Sequence, residues 1–378
     1  MNLYHQLRLS SNLNNFLNKE LTTKYIALFK YTTTSYKFLF LRSILKRVTN
    51  GESTLDINEI VLDIMVEAWY PNQYFKLSFG CQDKISKLFE KNNFEINEKT
   101  PITSPRFSEI LRKQIKIKID LEQLSSALSR YVKFRLLTPF FTSELRSKPD
   151  SQKNKIIQES ALVYYESRRP LYKIEALSNN IHIHPCWCDF ITSHSPLLLS
   201  YLQKKWGEFL QNKNPNIPAI VFKTHPPIDR PPLDRQRQCW IDLIEKKKVK
   251  CIYSDKTLSP KALSLDHFIP WSFVCHNKAW NLIPTLKSIN SSKGNQLPCL
   301  DNYLEKFIDT QLFLMQFHFA EDSKNWKHLS EDLAVDLKLD PGEIYTSPNQ
   351  FRDKLASTII SQHTLAQQLG FQNWNLQH

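Results

Sequence analysis

Glycine is rare in this sequence, with six glycines among 378 residues. Neither a GxGxxG run nor a Walker-type run is present, which excludes the glycine-rich loops that bind nucleotide phosphates. No apolar run reaches about 18 residues, and the first residues lack the basic-then-apolar order of a signal peptide, so neither a membrane span nor secretion is expected. The seven cysteines are scattered and odd in number, which favours reduced thiols in a cytoplasmic protein over a disulfide framework.

Positive charge is what the sequence has in excess. Fifty Lys and Arg face 37 Asp and Glu, giving a net charge of +13 and a pI near 9.2. This excess favours a polyanionic partner, with nucleic acid ahead of an anionic membrane surface. A hydrophobic fraction of 41% is enough for folded cores, and a chain of this length predicts two or three domains.

The first two hundred residues are predicted to be mainly helical. Apolar side chains at helical spacing predict a helix over Tyr36–Val48. Asp56 and Glu59 are spaced as a capping-box pair before the next apolar run. Ser195 followed by Pro196 is typical of an N-cap and first helical residue, and predicts that a long helix begins there. A short hairpin is also predicted, with strands at Pro170–Ala176 and Ile181–His184.

A proline-rich segment divides the chain, with four prolines in the eight residues His225–Pro232. Such a segment cannot continue a helix. We therefore expect a mainly helical target- or partner-recognition region at residues 1–222 and a linker at 223–233. A catalytic core at 234–300, opened by a helix over Asp234–Lys247, and a helical extension at 301–378 would follow.

The most specific pattern lies inside that core. Asp266 and His267 are adjacent, Asn281 follows fourteen residues after His267, and Asn290 and Lys293 come nine and twelve residues after Asn281. A neutral imidazole can deprotonate water, and Asp and Asn oxygens suit a hard cation. These residue types are those that phosphodiester hydrolysis needs.

Residues 250–298 resemble the HNH endonuclease family, through the residues above together with Pro270, Ser272, Phe273 and Pro298. The resemblance is closest to the HNH domain of RNA-guided CRISPR effector nucleases and to stand-alone HNH proteins of bacterial defence. It implies a ββα-metal core, a hairpin followed by a helix that together bind one divalent ion. The fold class expected is therefore α+β: a mainly helical N-terminal region, this core, and C-terminal helices.

The resemblance also implies roles for the five residues. His267 would be the general base that activates water, and Asp266 and Asn290 would hold one Mg²⁺ or Mn²⁺ ion. Asn281 would fix the hairpin loop by backbone hydrogen bonds and so orient His267. Lys293, on the face of the following helix, would reach a phosphate.

Many HNH proteins hold a structural zinc with two CxxC pairs, and this chain departs from that pattern. The corresponding positions are Cys251, Ser254, Leu286 and Ile289, which leaves one thiol of four. A tetrahedral zinc site cannot form from them, so no structural zinc is expected. The isolated cysteines Cys275 and Cys299 could not rebuild it.

Several residues have simpler interpretations that the sequence leaves open. Asn281 could be a helix cap and Lys293 a solvated charge, and His276 is predicted to lie in an exposed loop. The group His182, His184, Cys186 and Cys188 is interpreted as packed interior and not as a metal site. Two basic groups could contact nucleic acid or simply be solvated. The first is Lys246, Lys247, Lys248 and Lys250. The second is Arg112, Lys113, Lys116 and Lys118, which could lie on a surface strand.

The function predicted is a metal-dependent HNH endonuclease that cleaves DNA, in anti-phage defence or restriction. Two alternatives remain at this stage. The chain could be an effector subunit that is active only with a partner protein, or a catalytically silent nucleic-acid-binding protein.

Overall fold

A computed structural model describes residues 18–81, 83–92, 94, 101–175, 179–226 and 231–376. The prediction of a proline-rich linker falls partly outside them, at residues 227–230. The chain divides into two compact units. The first comprises the described residues of Met1–Pro215 and of Lys223–Pro226, and the second those of Asn216–Phe222 and of Pro227–His378.

The first unit is mainly helical. Its helices are α1 (18–27), α2 (Tyr36–Thr49), α3 (Ile57–Trp69), α4 (Ile85–Lys91), α5 (Pro105–Lys118), α6 (Leu121–Ser129), α7 (Val132–Arg135), α8 (Thr142–Leu145), α9 (Asp150–Val163), α10 (Tyr165–Arg168) and α11 (Pro185–Lys213). Its strands are β1 (Thr54–Asp56), β2 (Tyr172–Ile174) and β3 (Asn180–Ile183), in the antiparallel order β1-β3-β2. The predicted hairpin is thus part of a three-stranded sheet.

Of the two residues predicted to form a capping box at the start of α3, one is confirmed as a cap. Asp56 is the N-cap and its carboxylate accepts from the backbone N–H of Asn58 at 2.8 Å. Glu59 does not complete a capping box, because its carboxylate binds Arg112 and Lys116 at 2.7 and 2.9 Å. These two partners belong to α5, so the residues around Lys116 are helical and the alternative of a strand there is wrong.

The predicted helix start at Ser195-Pro196 is also wrong. Helix α11 begins eleven residues earlier, with His184 as N-cap and Pro185 in the first turn, and it continues through Pro196. Proline inside a helix costs about 3 kcal/mol. Apolar side chains on both sides of Pro196 are buried, and that burial outweighs the cost. Ser195 hydrogen-bonds Thr49 of α2 at 2.8 Å instead of capping a new helix.

The second unit contains a hairpin surrounded by helices. Its helices are α12 (Asp234–Lys246), α13 (Trp271–Val274), α14 (Lys287–Lys293), α15 (Leu300–Ala320), α16 (Trp326–Asp332), α17 (Glu343–Thr346) and α18 (Pro348–Gln368). Strands β4 (Leu263–His267) and β5 (Leu282–Leu286) pair antiparallel, and β6 (Leu297–Pro298) and β7 (Asn373–Trp374) pair parallel. The predicted helix over Asp234–Lys247 is confirmed.

One hydrophobic core joins the hairpin to the helices on both sides of it in sequence. Its buried residues come from α12, from the hairpin and from α15 to α18. Phe268 stacks on Phe307 with ring centroids 4.0 Å apart, and Trp374 meets Tyr253 edge-on at 5.2 Å. The residues predicted as a nuclease core and as a C-terminal extension therefore share this core.

The expected fold class is confirmed: the chain is mainly helical with a few short strands, an α+β fold. Within the described part of the chain, none of the helices combines the length and the apolar character that crossing a membrane requires.

Candidate active site

The candidate site is built on β4, β5 and α14, in the order hairpin and then helix. The register pairs Asp266 with Ile283 and His267 with Leu282, so both residues lie at the end of β4. Side chains alternate along a strand, which puts Ser264 and Asp266 on the same face. Helix α14 lies on that face, because two of its side chains contact these residues.

Asp266 is buried, with 2% of its surface exposed, and both of its carboxylate oxygens accept hydrogen bonds. Lys293 Nζ donates to Oδ1 at 2.9 Å and the Tyr253 hydroxyl donates to Oδ2 at 2.6 Å. Burial raises the pKa of the Asp266 carboxyl above its usual range, against the opposing effects of Lys293 and Tyr253. Burial also raises the pKa of Tyr253, so its hydroxyl remains a donor.

Lys293 is not a solvated charge: it is 1% exposed, and that alternative is wrong. Besides Asp266, its ammonium donates to the backbone carbonyl of His267 at 2.8 Å. The side chain thus crosses from α14 to the end of β4 and holds the two strand residues together. In this arrangement the ammonium faces Asp266 and the strand backbone, where the sequence predicted a reach towards phosphate.

His267 is half-buried and its Nε2 lies 3.0 Å from Oδ1 of Asn277. Asn277 also donates from Nδ2 to the carbonyl of Pro231 at 2.9 Å, and its own carbonyl accepts from Gln236 Nε2 at 3.0 Å. The loop that carries Asn277 was predicted to be exposed, and here it is half-buried. Its neighbour His276 packs against Trp280, and burial lowers the pKa of His276 to about 4.

Asn281 lies at the end of the same loop and is fully buried. Its carboxamide exchanges two hydrogen bonds with the backbone of Ile269, each 2.9 Å long, and its carbonyl accepts from the N–H of Phe268. Three backbone contacts therefore close the loop directly after His267. From α15, Gln311 donates to the carbonyls of Ala279 and Leu282 and holds the other side of the loop.

Asn290 is oriented by β4. Its Nδ2 donates to Ser264 Oγ at 2.9 Å and to the Leu265 carbonyl at 2.8 Å. A carbonyl can only accept, so the amide nitrogen faces the strand and Oδ1 is left as a possible ligand oxygen. Each carboxylate oxygen of Asp266 has a second lone pair beyond the one in use. These hard oxygen donors fit Mg²⁺ or Mn²⁺ by type.

The positions of the absent zinc ligands have other contacts. Cys251 is buried with Sγ 3.2 Å from Thr285 Oγ1, and Ile289 lies in the hydrophobic core. In the described ranges no three His, Cys, Asp or Glu side chains form a group that could hold a metal. In the first unit His182 Nδ1 lies 3.0 Å from Thr54 Oγ1, and His184 Nδ1 accepts the N–H of Cys186 as a helix cap.

The basic groups differ in how much of their charge is available. Lys246 pairs with Glu321, while Lys247, Lys248 and Lys250 are exposed. In the second patch, Arg112 and Lys116 are neutralised by Glu59, and Arg112 also pairs with Asp63. The exposed lysines before the hairpin are therefore better placed to meet a polyanion than the α5 patch.

Two contributors to the site were not predicted from the sequence. Tyr253, which binds Asp266, has no characteristic spacing to the motif, and its only sequence signal is its place among buried residues of the segment before β4. Asn277, which binds His267, looked like an ordinary loop residue.

Comparison with known proteins agrees with this geometry. A family model described as HNH endonuclease matches residues 251–299, which cover both strands of the hairpin and α14. No curated protein and no solved structure matches the chain. The second unit therefore carries an HNH endonuclease domain, which indicates a nuclease and implies nucleic acid as the substrate class.

Proposed function

We propose that this protein is a divalent-ion-dependent endonuclease that hydrolyses DNA, with His267 as general base. The observation that carries the proposal is the geometry at the end of β4 within the matched domain. Lys293 binds both Asp266 and the carbonyl of His267. Asn290, on α14, is held by a hydrogen bond to the backbone of the same strand, and Asn281 closes the loop that follows the strand.

The reaction that suits these residues is in-line attack of water on a phosphodiester. The imidazole of His267 takes a proton from the water as its oxygen forms a bond to phosphorus, and the bond from phosphorus to the leaving 3′-oxygen breaks. Asp266 and Asn290 would hold the divalent ion, which when bound supplies positive charge for the phosphate and the leaving oxygen. Three backbone contacts of Asn281 keep the base in place, so little ordering remains to be done at the moment of reaction.

The substrate proposed is DNA, supported by the net charge of +13 and by the exposed Lys247, Lys248 and Lys250 before the hairpin. We assign target or partner recognition to the first unit, because the matched domain lies wholly in the second. A role in bacterial defence rests only on the resemblance to HNH proteins that act there.

The test is cleavage of supercoiled plasmid by the full chain, with Mg²⁺, with Mn²⁺ and with a chelator, beside a single-stranded RNA of equal length. His267→Ala should reduce the rate by about 10²–10⁴-fold. His328→Ala, a half-buried histidine on α16 away from the motif, is the matched control and should cut like the parent. Equal rates for His267→Ala and the parent would refute the assignment of the base. Binding of plasmid without cleavage under every ion condition would favour the silent nucleic-acid-binding protein.

A further inference from the structure

We propose that Asn277 is a positioning residue that holds His267 in the tautomer protonated on Nε2, so that Nδ1 is the nitrogen that accepts the proton from water. This inference rests on the proposed function, because it names how the base of that reaction is prepared.

The first step is the orientation of the Asn277 carboxamide. Its Nδ2 lies 2.9 Å from the carbonyl of Pro231. A peptide carbonyl accepts and never donates, so the amide group that faces it must be the NH₂. The opposite end of the same carboxamide, Oδ1, therefore faces His267.

The second step is the tautomer. Oδ1 of Asn277 can only accept a hydrogen bond, and it lies 3.0 Å from Nε2 of His267. A contact of this length is a hydrogen bond only if Nε2 carries the proton. Neutral imidazole has one N–H, so its lone pair is then on Nδ1.

The third step is the rigidity of Asn277 itself. Gln236 of α12 donates to its backbone carbonyl at 3.0 Å. Lys278, the next residue, binds Asp332 of α16 at 2.9 Å, and the N–H of Ala279 donates to the same carboxylate at 3.1 Å. Because its backbone is held by these contacts, Asn277 can orient the imidazole of His267 before substrate binds. A residue that orients the base in this way supports catalysis without contacting the reacting atoms.

The test uses the full chain, free of divalent ions, with ¹⁵N-labelled histidine. The signals of His267 are assigned by their loss in His267→Ala, and ¹⁵N–¹H correlations are recorded at a pH where the imidazole is neutral. We expect the parent to be mainly protonated on Nε2. Asn277→Leu, similar in size but without acceptor or donor, should shift the population towards Nδ1–H. Asn277→Asp loses the donor to Pro231 but keeps an acceptor for Nε2, and it should keep the parent tautomer.

Cleavage kinetics are the second readout, at the same pH. Asn277→Leu should lower kcat by about 10–100-fold with little change in KM. Asn277→Asp should recover part of the loss, because it keeps the acceptor for His267 but not the donor to Pro231. Asn302→Leu and Asn302→Asp, at an exposed position in the first turn of α15, are the matched controls and should leave both constants near the parent values.

A parent protonated on Nδ1 would overturn the proposal, and so would an Asn277→Leu variant that keeps both the parent tautomer and the parent kcat. If Asn277→Leu does not fold, the tautomers of the parent and of Asn277→Asp still decide the matter. If the parent cleaves no nucleic acid, the proposed function fails, while the tautomer measurement continues to test the role of Asn277.

Discussion

Removing the buried ammonium of Lys293 should destabilise the second unit strongly. The pair with Asp266 is almost wholly excluded from solvent, with side-chain exposures of 0% and 3%. Lys293→Met, similar in length, would leave Asp266 with Tyr253 as its one remaining donor among the contacts described above. Breaking a buried pair from one side typically costs about 3–5 kcal/mol, because a desolvated charge is left without its partner. Replacing both members, Asp266→Asn with Lys293→Met, removes both charges and should recover part of the loss.

The measurement is hydrogen exchange of the hairpin amides, such as that of Phe268, which donates to Asn281. Exchange at these amides reports the opening of this unit by itself, which a melting curve of a two-unit chain does not. Lys306→Met is the control: its pair with Asp255 is 46% and 63% exposed, and such a pair contributes at most about 1 kcal/mol. The reasoning is refuted if Lys293→Met costs no more than this control, or if the double variant is no more stable than Lys293→Met.

Three further predictions concern pH, the ion and DNA. Burial lowers the pKa of His276 to about 4, below its unfolded value near 6.5, so the stability that neutral His276 contributes is complete above pH 6.5 and is lost as pH falls towards 4. His276→Asn should therefore flatten the loss of hairpin exchange protection in that pH window, and an unchanged slope would contradict this. Asp266→Asn should raise the Mg²⁺ concentration needed for half-maximal cleavage, whereas Asp301→Asn, exposed on α15, should not; equal requirements would exclude Asp266 as a ligand. Lys248→Ala should weaken DNA binding and reduce the salt slope by about one, and Lys246→Ala, whose charge is already paired, should do less; the reverse order would point to a different DNA path.

Sequence spacing predicted the parts of the site that are read along one element. Asp266 and His267 are neighbours on a strand, and the interval to Asn281 is the length of the loop that returns the chain to β5, so all three could be found by counting residues. Asn290 and Lys293 lie one turn apart on α14, and the helical repeat predicted that they share a face. What that face meets is set by tertiary packing, which is why the burial of Lys293 against Asp266 was not predicted.

The same reason explains the errors elsewhere. Ser195-Pro196 carries the local signal of a helix start, yet a continuous apolar stripe along α11 outweighs it. A local capping signal decides where a helix begins only when little apolar surface would be buried by a different start. This is the case at Asp56, where the N-cap was predicted correctly. Tyr253 is separated from Asp266 by thirteen residues and by the turn before β4, so no periodicity connects them.

The proline-rich segment that was predicted to be a linker also contributes a contact to the candidate site. Four prolines in His225–Pro232 indicated a solvated connector, and proline does lack the N–H that a packed element needs. Each proline nevertheless keeps its carbonyl, and a carbonyl in a stretch without amide donors is available to accept from elsewhere. Pro231 uses it to orient Asn277, and through it the imidazole of His267. The end of the segment thus belongs to the second unit, and a fragment that begins at Leu233 would lack the acceptor that binds the Asn277 amide.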